Sequence, residues 1–150
     1  MSLIQAIETT KPRQGFLSYK VFIRGRLVEV VDDRNLLVDN SKTILAHLIA
    51  GDTTNRIVTK IGFGTNGTAP VGGDTALTDL YSRAIGTITY PTSASVQFAW
   101  QLDTSEANGL AIMEFGLVTA NDALFSRRTR ATALNKTSDM SLTGTWRINF

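Results

Sequence analysis

The chain has no cysteine, one histidine and three prolines among its 150 residues. Without thiols it forms neither a disulfide framework nor a thiolate site, so its fold needs no oxidising compartment. One histidine cannot assemble a metal centre of the Cys/His type. Charge of one sign is also scarce: 15 basic against 13 acidic residues leave a formal +2. That surplus is too small to argue for a nucleic-acid partner. No apolar run approaches the roughly 18 residues of a membrane span, and the N-terminus lacks a signal-peptide pattern. The expectation is a chain made in cytoplasm, with no membrane partner. The rest is ordinary for a globular protein, 43% hydrophobic and 19% charged with 12 glycines. At this length it is most simply one domain, burying roughly 70% of its unfolded surface.

What is present is alternation. Val96, Phe98, Trp100 and Leu102 alternate with Gln97, Ala99, Gln101 and Asp103. Side chains on a strand point to opposite faces with period two, so this run has one apolar face. A second run, residues 110–118, is apolar on nearly both sides. Ser105-Glu106-Ala107-Asn108-Gly109 lies between them, and Asn-Gly readily adopts the positive φ angles of a tight reversal. Together they predict a central antiparallel hairpin. Leu17, Tyr19, Val21 and Ile23 alternate as well, residues 27–31 resume after Gly25, and Asp32-Asp33-Arg34-Asn35 reads as a turn. Residues 57–63 and 82–90 read as strands. The chain closes on Leu142, Gly144, Trp146, Ile148 and Phe150, the apolar members of a last alternating strand.

One helix is expected, near residues 41–50. Asp39-Asn40-Ser41 is a start signal, Ile44, Leu45, Leu48 and Ile49 recur at helical spacing, and Gly51 is a stop. His47 sits on it and, with no partner cluster, reads as a solvent-facing or capping residue. A short helical turn is expected at residues 74–81, packing Leu77 and Leu80. The Gly-rich stretch from Gly62 to Gly73 lacks both Gly-Lys-Ser/Thr and the third glycine of a dinucleotide loop, so it reads as a surface loop.

No catalytic constellation emerges. The acids are scattered, and Asp32 with Asp33 makes a poor acid/base pair. Loop carboxylates without EF-hand spacing give no support for calcium. The expectation is therefore no enzyme, no cofactor and no metal. Glu114 alone lands mid-strand among apolar residues, where a carboxylate needs a partner such as Arg83, Arg127 or Arg147. Arg127, Arg128 and Arg130 cluster without interleaved aromatics, unlike a stacking nucleic-acid surface. They are candidate contacts between subunits or to an adjacent protein. Residues 1–15 form an arm in which Leu3, Ile4 and Ile7 are more apolar than a free tail requires, and Pro12 and Gly15 set it apart. The arm is expected to act as a tether lying on a neighbouring subunit. Residues 16–150 form the domain, whose strands at turn spacings near ten residues predict an antiparallel β-sandwich, jelly-roll or Greek-key-like, with one short helix.

The order of several short pieces adds a resemblance. Asn35-Leu36-Leu37-Val38, Lys60-Ile61-Gly62-Phe63-Gly64-Thr65, Thr68-Ala69-Pro70 and Asp74-Thr75-Ala76-Leu77 open the series. Glu106-Ala107-Asn108-Gly109, Glu114-Phe115-Gly116-Leu117, Leu124-Phe125-Ser126-Arg127, Lys136-Thr137 and Trp146-Arg147-Ile148-Asn149-Phe150 complete it. The series resembles a family of tailed-bacteriophage structural proteins and covers residues 35–150. The resemblance, to proteins encoded among tail, baseplate or fibre genes, implies a non-enzymatic virion part, and the expectation is a component of the tail, baseplate or neck. Its partners would be copies of itself and other virion proteins, with no small-molecule substrate. A capsid decoration protein and a carbohydrate-binding sandwich are the alternatives, and the second would need exposed aromatics. Trp100 and Trp146 fall on apolar faces and read as core.

Overall fold

The computed structural model describes residues 13–150. It is mainly β with one short helix. In chain order the elements are β1 (Gln14–Ile23), β2 (Arg26–Leu37), α1 (Asn40–Ile49), β3 (Val58–Gly64) and β4 (Tyr81–Ala84). They continue with β5 (Ile88–Thr89), β6 (Ser95–Leu102), β7 (Ala111–Thr119), β8 (Leu124–Asn135) and β9 (Met140–Asn149). All nine strands belong to one antiparallel sheet, ordered β4-β3-β7-β8-β2-β1-β9-β6-β5. The sheet curls into a half-barrel, where the sequence had predicted two stacked sheets. The difference lies in β2, a long strand that pairs with β1 along its length and with β8 through Leu36 and Leu37. One strand shared between two neighbours makes one sheet of what the spacing of turns presents as two.

Arg24 and Gly25, both at positive φ, form the two-residue turn joining β1 to β2. Paired positive φ angles match the twist of the flanking strands. The turn expected at residues 32–35 is instead the far half of β2. Its residues do not reverse the chain because β1 pairs with them in register, Ser18 with Asp32 and Leu17 with Asp33, and Arg128 of β8 lies 3.0 Å from Asp33. Here tertiary pairing overrides local turn propensity.

The expected hairpin of residues 95–118 does not form. β6 lies between β5 and β9, and β7 between β3 and β8. Both strands carry large apolar side chains, and these meet across the core. Trp100 and Phe115 have ring centroids 6.1 Å apart. Tyr19 stands 4.8 Å from Phe115, and Phe63 packs edge-on to both Phe115 and Trp100 at 5.6 Å. This quartet joins strands from opposite ends of the sheet. The connector between β6 and β7 is an arch held by side chains: Lys136 donates to Thr104 O, Asn108 Oδ1 and Thr137 O, and Arg83 donates to Glu106.

Residues 82–90, read as one strand, are two pieces at opposite edges of the sheet. β4 pairs with β3 and β5 with β6, while Ile85 N donates to Thr59 O and Gly86 N to Ala99 O. The segment thus ties the two ends of the curled sheet together. Gly86 permits the crossing, since a Cβ there would stand 3.3 Å from Ala99 O.

The helix runs within one residue of the expected span. Asp39 makes no side-chain capping bond, however; its N–H donates to Gly72 O. Ile44 buries fully, and Leu45 and Leu48 partly, against the core. The helical turn expected at residues 74–81 is irregular chain, because Asp74 and Thr78 are drawn into side-chain bonds described below. The last strand alternates as expected through Ile148, with Leu142, Trp146 and Ile148 buried, but it ends at Asn149, and Phe150, expected as its last apolar member, is half exposed. Of the arm, residues 1–12 lie outside the described residues, and Gln14 and Gly15 already belong to β1.

Candidate assembly surfaces

The three arginines of the expected contact patch all find partners within the chain. Arg127 is 2% exposed. Its Nε donates to Glu114 Oε2 at 2.6 Å, Nη1 to Asp74 Oδ2 at 2.9 Å and Nη2 to Asn66 O at 2.9 Å. Glu114, fully buried, uses its other oxygen to accept Thr78 N at 2.7 Å and Asn66 N at 3.2 Å. The buried carboxylate therefore has the arginine partner that the sequence demanded. The pair also staples the Gly-rich loop onto β7 and β8. Gly64 allows the close approach, as a Cβ there would fall 2.6 Å from Thr78 O and into the Glu114 carboxylate.

Arg128 and Arg130 bridge the opening between β2 and β8 where those strands diverge. The opening is a 240 Å³ cleft lined by Tyr19, Glu29, Asp33, Phe115, Arg128 and Arg130 among others. Arg130 holds both oxygens of Glu29 and donates to the Tyr19 hydroxyl. Arg128 retains more than a third of its side-chain surface and is the member of the three left at the exterior. Burial pushes the Tyr19 phenol up from its usual value, and Arg130 opposes that rise.

A titration checks this. Replacing Arg130 with Met removes the opposing cation, so the Tyr19 phenolate should appear at still higher pH by absorbance near 295 nm, assigned by difference with Tyr19→Phe. In the folded wild type the phenol keeps its proton after the unfolded chain has begun to lose it. This contribution to stability is therefore whole below about pH 10 and lost as pH rises beyond it. A Tyr19 midpoint that falls in Arg130→Met would contradict the assignment.

A second hollow was not anticipated from the sequence. It lies at the end of the core under α1, a 240 Å³ groove whose walls are almost wholly apolar. Ile44, Leu45 and Leu48 of α1 form one wall, and Val96 and Phe98 of β6 with Ile148 of β9 form the other. Ile57, Ile88, Tyr90 and Phe150 line it while remaining exposed to solvent, Tyr90 by 76%. Ile49, at the end of the same helix, is 88% exposed. Apolar residues at strand ends, beyond the last core-facing position, were the available signal. Each taken singly reads as an ordinary surface residue. Arg56 also lines this groove. Its Nε is buried and has no hydrogen-bond partner among the described residues.

His47 is half exposed, and its Nδ1 lies 2.8 Å from Asp52 Oδ2 at the helix C-terminus. The hydrogen bond from His47 is the main cause holding the Asp52 carboxyl below its usual range. This is a local contact just past the end of the helix, made by a half-exposed side chain, as the expectation of a solvent-facing or capping residue allowed. Among the described residues no three His, Cys, Asp or Glu side chains gather as metal ligands. No helix among the described residues is long and apolar enough to cross a membrane. Leu3, Ile4 and Ile7 lie outside the described residues. No family model, curated protein or solved structure matches this chain.

Proposed function

We propose that the protein is a non-enzymatic structural component of a tailed-bacteriophage virion, in the tail, baseplate or neck, acting through assembly with copies of itself and other virion proteins. The observation that carries this reading is the apolar groove under α1 with its exposed rim of Ile57, Ile88, Tyr90 and Phe150. Contiguous exposed apolar surface edged by polar groups is how an interaction site differs from scattered surface hydrophobics. The ordered run of short motifs in residues 35–150 supplies the virion context. The proposal extends to architecture: the curled sheet serves as a two-layered, jelly-roll-like shell. Such a shell presents its ends to neighbours, and Arg128 offers a charged contact beside the β2–β8 opening. The carbohydrate-binding alternative is weaker, because both indoles are buried and the exposed Tyr90 ring borders a groove lined, apart from Arg56, by apolar side chains that offer sugar hydroxyls few partners.

The pair Ile88→Asp and Tyr90→Asp tests the reading. Both side chains are exposed in the isolated chain, so the melting transition should move by no more than about 0.5 kcal/mol per site. Incorporation into particles, scored by immunoblot of purified virions, should fall by an order of magnitude or more. Normal incorporation of the double variant would refute the groove as the assembly surface.

A further inference from the structure

The large apolar side chains left exposed among the described residues gather mainly in two places. Ile57, Ile88, Tyr90 and Phe150 rim the groove under α1. Leu27, Val28 and Val30, each about half exposed, lie together at the start of β2. β2 reaches β8 only through Leu36 and Leu37, so residues 26–35 have no strand partner on that side among the described residues. Phe22 pairs with Leu27 and Val21 with Glu29, which makes Val28 the extra residue of a bulge where the strand bends. Free strand edges are ordinarily blunted by charged side chains, and a run of aliphatics there invites a neighbour. The two places cannot meet within one chain. Ile23 lies at the turn beside Arg26 and pairs with Met140, at the far end of β9 from Ile148, which lines the groove. Along β9 the two places are therefore about 26 Å apart, at roughly 3.3 Å per residue.

Their charges are complementary as well. Glu29 and Asp33 are taken by Arg130 and Arg128, whereas Asp32 is exposed and has no ion-pair partner among the described residues. Asp32 stands two residues past Val30 and so on the same face of the strand. Arg56, in the groove wall, has a buried Nε with no hydrogen-bond partner among the described residues, and its nearest acid, Asp52, is 4.0 Å away. From this match of a raised apolar edge to an apolar hollow we propose that the groove of one copy receives the start of β2 of the next. Leu27, Val28 and Val30 lie on the groove walls, and Asp32 meets Arg56. This rests on the assembly reading above and names the groove's occupant, a second copy of this chain. Two different surfaces make the contact, so copies join head to tail and form a ring where the rotation closes. β5, the last strand of the sheet, borders the groove, and the free edge of β2 adds to it as a further strand.

Mixing two broken copies tests the contact. The full-length wild type should sediment as a concentration-dependent oligomer. An edge variant, Val28→Asp with Val30→Asp, and the groove variant, Ile88→Asp with Tyr90→Asp, should each sediment as a monomer. All four side chains are exposed, so circular dichroism and melting of both variants should match wild type. Mixed in equal amounts, the two variants should give a dimer and nothing larger, because one intact edge then meets one intact groove. Asp32→Arg should weaken association by at least about tenfold, and combining it with Arg56→Asp should restore it. A wild type that stays monomeric at the highest concentration reached overturns the proposal. So does a mixture that stays monomeric, or either folded variant associating on its own. An exchange of charges that fails to restore association overturns the contact of Asp32 with Arg56. A mixed dimer, with the groove variant still incorporated normally into particles, would establish the contact between copies and refute its use in the virion.

Discussion

Arg127→Met should destabilise the protein by about 3–5 kcal/mol, because it leaves the Glu114 carboxylate fully buried without its cation. For a domain of this size that is a fall in melting temperature on the order of 10 °C. The cost is local in origin. Glu114 still accepts Thr78 N and Asn66 N, but Asp74 and Asn66 O lose the donors that hold the loop to β8. Cleavage by added protease should therefore appear first in the loop following β3. Adding Glu114→Gln removes the uncompensated charge yet retains an acceptor oxygen for the two loop amides. The double variant should recover part of the loss, and a coupling energy above about 1 kcal/mol is expected from the cycle. If Arg127→Met melts like wild type, the buried pair is not the staple described. The same burial separates Arg127 from its two neighbours. Reversing its charge would unfold the loop anchor, whereas reversing Arg128 breaks one half-exposed pair worth roughly 1 kcal/mol or less.

Trp100→Ala should cost a similar 3–5 kcal/mol, read from urea unfolding, for a different reason. The indole is 4% exposed and stands among Tyr19, Phe63 and Phe115, which belong to strands from both halves of the curled sheet. Its removal leaves a cavity where those halves meet. One face of the ring also lies on Gly144, where a Cβ would run into the indole and stand 2.6 Å from Ser18 O. Gly144→Ala is thus the complementary change, an overpacking that should cost about 1–3 kcal/mol. Trp100→Phe should recover most of the loss by refilling the site with a ring. A Trp100→Ala variant as stable as wild type would show that the side chain is not core, and would restore the sugar-stacking alternative.

The strands whose apolar residues face one way were legible from alternation alone: β1, β6 and β9, with Leu17, Tyr19, Val21, Trp100, Trp146 and Ile148 all buried as their positions predict. The single helix was legible from spacing and its Gly51 stop. Glu114 was legible as a buried carboxylate in need of an arginine, since a charge between apolar neighbours on a strand has few other outcomes. Its arginine was one of three named. Partner choice was not legible. Asn-Gly between two apolar runs signals a reversal, and it does reverse the chain here, with Gly109 at positive φ. The two strands nevertheless stack face to face instead of pairing edge to edge, because Lys136 and Arg83 hold the arch open and the aromatic rings meet across it.

The amino-acid sequence by itself determined the core-facing residues of β1, β6 and β9 and the span of α1, because side-chain period and hydrophobicity act within a few residues of chain. It also determined that the chain has no thiol chemistry and no Cys/His metal centre. Tertiary structure decided which strands are neighbours, that β2 runs unbroken through four polar residues, and that the arginine cluster is spent on Glu114, Asp74, Asp33 and Glu29. It alone made the apolar groove, whose walls come from α1, β5, β6 and β9 and the chain end. Pairing, charge compensation and concavity join residues well over a hundred positions apart, and no local periodicity encodes them.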